Sequence, residues 1–350
     1  MLATHSAGLR SPNVARVGVD GLMISPRGKG HARSELHAVE ALAAHGEHEL
    51  VVFVREQVEI EGVEVVPVHE RLTLDWELRG MPRAARRHRV DAFLSLSERL
   101  PLAGGPQVVV WLFESPVRRI RTNREARAPL WHRASDLATT ALWRRSLRRA
   151  AHVAFGSRAT RDEVLGKLAL PNTSVVYPGT PPGFSPGPAS RTGYVLHLGS
   201  DDPRDNTATA VEACHAAGVR LVVAGGWRGE GAEAVGRVSD EELLDLYRGA
   251  SCFLDPTLYE GFGYGVLQAM ACGIPVVASA VTSVPEVVGD AGLLCDPRSA
   301  AEFADALGKL LADARLAAEL GEKGLRRAAS FTWESTGSRL AEALAAAVGA

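Results

Sequence analysis

The sequence predicts an α/β protein of two domains, each built on a parallel sheet with helices packed over it, and three observations carry that prediction. A length of 350 residues is ample for two cores of ordinary size. Short apolar runs of strand length alternate with stretches of helical spacing along the chain. Between Pro178 and Gly187 stand four prolines and three glycines, a break that interrupts any regular element and marks the joint between the domains.

Taken in order, Val14 to Ile24 reads as the first strand. Ser25-Pro26-Arg27-Gly28-Lys29-Gly30 follows as a turn-rich loop, and His31 to His45 as a helix. Arg33 stands where a third glycine would complete G-x-G-x-x-G, which disfavours a dinucleotide site. Glu49 to Val54, Val63 to Val68 and Asp91 to Ser97 read as further strands. The basic run Arg83 to Arg89 between them has helical spacing and reads as a solvated face, because the whole chain carries no basic excess. Pro106 to Leu112 is a strand that delivers Phe113 and Glu114 at its carboxyl end. Open α/β sheets bind ligands there, so Glu114 is a cleft candidate. Arg118 to Arg149 is rich in arginine and tryptophan; its first part, to Arg127, could receive an anionic acceptor or be an ordinary surface loop. Val153 to Phe155 is a strand, and Ser157 caps a helix from Arg158 to Leu168.

Past the joint, Tyr194 to Leu198 opens the second domain. Gly199 to Asn206 leads into a helix, Arg220 to Ala224 is the next strand, and Ser239 or Asp240 caps a helix running to Gly249. Cys252-Phe253-Leu254 is short enough for a buried parallel strand, and Asp255-Pro256-Thr257 ends it. Glu260-Gly261-Phe262-Gly263 then places a carboxylate before two glycines and opens a helix carrying Val266, Leu267, Met270 and Ala271 on helical spacing. A helix start with so little side-chain bulk presents backbone N–H groups and the positive end of the dipole, which suits phosphate or sugar oxygens. Pro275 to Ala278 is the following strand, Ser299 to Ala329 reads as one long helix, and residues 335 to 350 as a last, alanine-rich one.

Hydrophobic content of 46%, 23% charged residues and a formal net charge of -2 describe a globular protein with no general attraction to nucleic acid or anionic membrane. Cys214, Cys252, Cys272 and Cys295 form no CxxC pair and read as reduced core thiols. No apolar run reaches transmembrane length and the amino terminus lacks a signal-peptide core, so a cytoplasmic protein is expected. Oligomeric state is not readable.

The run from Glu260 through AMACGIPVVASAVTSVPEVVGDAGLLCDP resembles the donor-binding signature of the family 4 glycosyltransferases. The resemblance implies the GT-B fold: two facing Rossmann-like domains with parallel sheets and an interdomain cleft. The implied division is an acceptor-side domain over 1–178, a nucleotide-sugar donor domain over 179–333, and a helix over 334–350 that returns to the first. It also implies transfer of a sugar from a nucleoside diphosphate sugar to an acceptor hydroxyl with retention of configuration, without metal and with no cofactor beyond that co-substrate. Glu260 would accept hydrogen bonds from the sugar, and the amides of Gly261, Phe262 and Gly263, with Tyr264 beside them, would hold sugar or phosphate oxygens. Gly28 and Gly30 would lie near donor phosphates or acceptor.

The chain departs from the family pattern at three places. Gln268 stands where a second glutamate holds the ribose, a weaker acceptor without charge. Asp205 stands where relatives place a phosphate-binding lysine, beside Ser200 where many carry arginine, so Arg204, Arg228 or Lys29 would have to supply the charge. Phe113-Glu114 stands about where many relatives carry a His-Asp pair, and Glu114 is the expected acceptor-side base. These departures keep an alternative open, a degenerate homologue that binds a ligand or partner without turnover.

Overall fold

The protein is described by a computed structural model covering residues 15–25, 31–68, 75–96, 107–115, 140, 143–187 and 193–349. In the first domain β1 (Arg16–Gly21) runs into α1 (His31–His45), β2 (Glu49–Val54) and β3 (Glu64–Pro67). A π-helical turn over Trp76–Gly80 continues directly into α2 (Met81–Arg87), in which Pro82 is buried. β4 (Ala92–Ser95), β5 (Gln107–Leu112), β6 (His152–Phe155), α3 (Arg158–Leu165) and β7 (Thr173–Val175) complete the domain. Ser157 Oγ accepts from Thr160 N at 3.1 Å and caps α3. Arg83, Arg86, Arg87 and Arg89 are exposed, a solvated face.

The second domain begins with β8 (Tyr194–Gly199), followed by a 3-10 turn over Pro203–Asp205, α4 (Thr207–Ala216), β9 (Arg220–Gly225) and β10 (Glu233–Gly236). Next come α5 (Asp240–Gly249), β11 (Cys252–Asp255), α6 (Tyr264–Ala271), β12 (Val276–Ser279), α7 (Val284–Val288) and β13 (Gly292–Cys295). Ser239 and Glu242 form a reciprocal capping box on α5. The long helix expected over Ser299 to Ala329 is two, α8 (Ala300–Ala312) and α9 (Ala314–Ala328). Asp313 breaks it because its carboxylate accepts from Arg315 N and Leu316 N, giving the backbone a second cap where one helix could have continued.

Among the described residues every strand pair is parallel. The sheet orders are β3-β2-β1-β4-β5-β6-β7 and β10-β9-β8-β11-β12-β13. Strands buried on both faces read as continuous apolar runs, as ELVVFV and QVVVWL do. The last helix, α10 (Trp333–Val348), crosses back and lies on α1 and over β4, β5 and β6. One apolar core therefore runs from Val17 and Trp111 through Leu340 and Phe331 to Phe262 and Phe253. All four cysteines are buried and free. Among the described residues no helix is long and apolar enough to cross a membrane.

Two strands of chain cross between the domains side by side. Thr180 N donates to Phe331 O at 2.9 Å, and Trp333 Nε1 donates to Thr180 O at 3.0 Å. The proline-rich joint is pinned further by Arg248, whose Nε donates to Ser185 O at 3.0 Å.

Candidate active site

In the second sheet the strand order reverses between β8 and β11, and an open α/β sheet has a crevice outside the carboxyl ends at such a point. The loop after β8 brings Ser200 and Asp205 there, β9 ends in Gly225-Gly226, Arg237 follows β10, and the loop after β11 brings Glu260. Together they line a cleft of about 510 Å³.

The Glu260 loop is held by its backbone. Glu260 N donates to Thr282 Oγ1 at 3.1 Å, and Ser283 Oγ donates to Glu260 O at 2.9 Å, which leaves the carboxylate to face the cleft. Gly263 begins α6 at φ 108° and ψ 51°, a left-handed conformation that disfavours any side chain, and no side chain caps this helix start. Gly261 is needed for contact: a Cβ there would stand 2.8 Å from Phe113 O in the first domain. Burial, then the charges of Asp255 and Glu114, push the Glu260 carboxyl up to about 8, against the opposing pull of Arg204. Burial likewise pushes Asp255, at the end of β11, up to about 7.

Asp205 does not project as a lone charge. Its Oδ2 accepts from Ser200 N at 2.7 Å and from Ser200 Oγ at 2.5 Å, closing the loop after β8; burial still raises its pKa against those hydrogen bonds. Arg204 is brought to the site by the 3-10 turn. Its Nε and Nη2 donate to Asp202 Oδ2 at 3.0 and 2.8 Å, and its Nη1 reaches Glu114 of the first domain at 3.2 Å. Burial works against the guanidinium charge, but Asp202, Glu114 and Glu260 outweigh it and hold Arg204 charged well above its ordinary range.

The family model for glycosyl transferases group 1 matches residues 194–313, the domain that carries this cleft. The O-antigen chain mannosyltransferase B of Escherichia coli is 38% identical over 164 residues, 41% of this chain and 43% of that protein. The chain thus spans less than half the length of that curated relative. The sucrose-phosphate synthase of Thermosynechococcus elongatus superposes with a TM-score of 0.78 at 20% identity, over 94% of this chain and 98% of that one. The second domain is thus of the glycosyl transferases group 1 kind, and the chain as a whole has the GT-B fold. The Anabaena Alr3699/HepE structure in complex with UDP-glucose shares this fold at TM-score 0.71 and 15% identity, over 94% of this chain and 98% of that one.

The structure brings Glu260, Gly261, Arg204 and Glu114 together at one place. Phe262 is buried behind the loop against Tyr177 and Phe331, so its side chain builds the domain junction. The Tyr264 ring stacks edge-on against Phe262, and burial raises its hydroxyl well above the ordinary value. Gln268 Oε1 accepts from Tyr247 OH at 3.2 Å. Arg228 is exposed and does not line the cleft, whereas Arg237 does. Gly28, Gly30, Lys29 and Arg118 to Arg127 lie outside the described residues. Sequence reasoning missed Arg237 because β10 reads as loop, and missed Asp255, which the same strand-end rule that selected Glu114 would have found. Among the described residues no group of three or more His, Cys, Asp or Glu could hold a metal ion.

Proposed function

We propose that this protein transfers a sugar from a nucleoside diphosphate sugar to an acceptor hydroxyl, with the donor seated in the second-domain cleft. The observation that carries this is the uncapped start of α6, with Glu260 before it and first-domain Glu114 opposite. Substitution at the anomeric carbon, in which the acceptor oxygen replaces the diphosphate, needs the leaving diphosphate stabilised and the sugar held in register with the acceptor. Backbone amides at Gly261 to Gly263 and the helix dipole supply the first, with Arg204, and Glu260 supplies the second by hydrogen bonding to sugar hydroxyls. The kinship to a mannosyltransferase and the likeness to a structure in complex with UDP-glucose support a hexosyl donor.

Retention of configuration and independence from divalent metal belong to the same proposal. In this reading the leaving phosphate and the acceptor share one face of the sugar, and Arg204 with the α6 amides stabilises the charge that a metal would otherwise meet. The test is a panel of nucleoside diphosphate sugars with candidate acceptors, following nucleoside diphosphate release and the anomeric NMR signal of the product. Release that survives EDTA, with the donor's anomeric configuration kept, is the expected result. Tight binding without release from any donor would instead identify a non-turning-over homologue.

A further inference from the structure

The strand end Phe113 to Ser115 meets the second domain residue by residue. Ser115 N donates to Tyr259 OH at 2.9 Å. Arg204 Nη1 lies 3.3 and 3.2 Å from the two carboxylate oxygens of Glu114. Gly261 sits against the Phe113 carbonyl between them.

The guanidinium is divided by edge. Its Nε and Nη2 face Asp202, two residues away on the same turn, an attachment that travels with the second domain. Its Nη1 faces Glu114 on the opposite wall, 90 residues away in sequence. Asp202 therefore aims the guanidinium, and Glu114 occupies the edge that is aimed. Asp205, Asp255 and Glu260 line the cleft together with Arg237. Arg204 stands beside it, within electrostatic reach of Glu260, so it and Arg237 are the cations that an incoming anion meets among the described residues.

Resting on the reading of the cleft as a nucleoside diphosphate sugar site, we propose that Glu114 is a tethered anion holding the place on Arg204 that the donor diphosphate takes. A guanidinium edge matches phosphate oxygens as well as it matches a carboxylate, and a diphosphate brings more charge. Seating the donor therefore displaces Glu114 from Arg204. The affinity measured for a diphosphate is accordingly lower than the Arg204 site could give, by the strength of the internal pair.

Calorimetric titration of the full chain separates this from a purely structural role. UDP, GDP and ADP, and uridine, guanosine and adenosine as their uncharged counterparts, are titrated into wild type, Glu114→Gln and Glu114→Ala. The diphosphate that binds wild type should bind both variants roughly tenfold more tightly, the scale of one charge-assisted hydrogen bond. Its nucleoside should bind all three proteins alike. Diphosphate affinity that is unchanged or weaker in both variants overturns the inference, as does an equal gain for the nucleoside, which would mean that Glu114 shapes the cleft. If no diphosphate binds any of the three proteins, the reading of the cleft falls as well. If wild type binds one and the variants do not gain, only the role of Glu114 falls.

Discussion

At the scale of single residues, the burial that makes Glu260 useful also makes it costly. Its carboxyl is pushed from an ordinary 4.5 up to about 8. Between those two values the folded protein holds a proton that the unfolded chain has released, so stability falls as pH rises through that window. Asp255, raised to about 7, acts in the same direction. Glu260→Gln keeps the shape and removes the titration. We expect its melting temperature to exceed wild type at pH 8 and to match it at pH 4, a gain of roughly 2–4 °C per kcal/mol for domains of this size. Turnover should fall by about 10²–10³, the usual loss when an oriented polar group at a reacting centre is removed. A variant no more stable than wild type at pH 8 would mean that Glu260 ionises freely in the folded state. Gly263→Ala tests the backbone instead: with φ at 108° it should cost about 1–3 kcal/mol in thermal unfolding. Glycines at the mouth of α6 and the acid before them were legible from order alone. The bond between Arg204 and Glu114 was not, because it joins residues 90 apart whose meeting depends on how two domains face each other.

At the scale of elements, the strands that the sequence announces plainly are those buried on both faces, and β10 shows why the others escape. Its residues Glu233 to Val235 are exposed on an edge strand, so neither an apolar run nor an alternation betrays it, and with it went Arg237. The division of α8 from α9 escaped for a different reason. Helical periodicity continues through both helices, and only the local hydrogen bonding of Asp313 stops the ladder. Asp313→Ala should destabilise by about 1 kcal/mol, the usual loss of an N-cap, with no effect on donor binding. The final helix follows the second domain in sequence but packs on α1, β4, β5 and β6 of the first. Leu344 on α10 is buried at 0% exposure, in the core shared with β1 and α1. Leu344→Ala should cost about 2–5 kcal/mol. Because α10 lies on α1, hydrogen exchange should speed up in α1, at the opposite end of the chain. Exchange that changed only in the second domain would contradict this packing.

At the scale of the whole molecule, the net charge of -2 conceals a division. Residues 1–178 carry 26 Lys and Arg against 19 Asp and Glu, and residues 179–350 carry 13 against 22, so the halves stand at +7 and -9. The sequence reading judged the arginines of α2 against the total, which hid this basic excess. Opposite halves attract over a Debye length of about 30 Å at 0.01 M salt but only about 3 Å at 1 M. Specific contacts add to the long-range term. Glu286 on α7 accepts from Arg158 N at 2.7 Å and Ala159 N at 3.1 Å, so a second-domain carboxylate caps the first-domain helix α3. Burial, then the hydrogen bond that it donates to Glu286, pushes the Tyr177 hydroxyl up to about 12 beside the crossing strands. An opening of the cleft would have to break this cap and the Arg204 pair, with the paired crossing segments at Thr180 and Phe331 as the expected hinge. The radius of gyration from solution scattering should rise as sodium chloride is raised, and Glu286→Ala should shift that rise to lower salt. A radius independent of salt in both proteins would show that the continuous core through Tyr177, Phe262 and Phe331 alone sets the domain angle, and that charge has no part in closing the cleft.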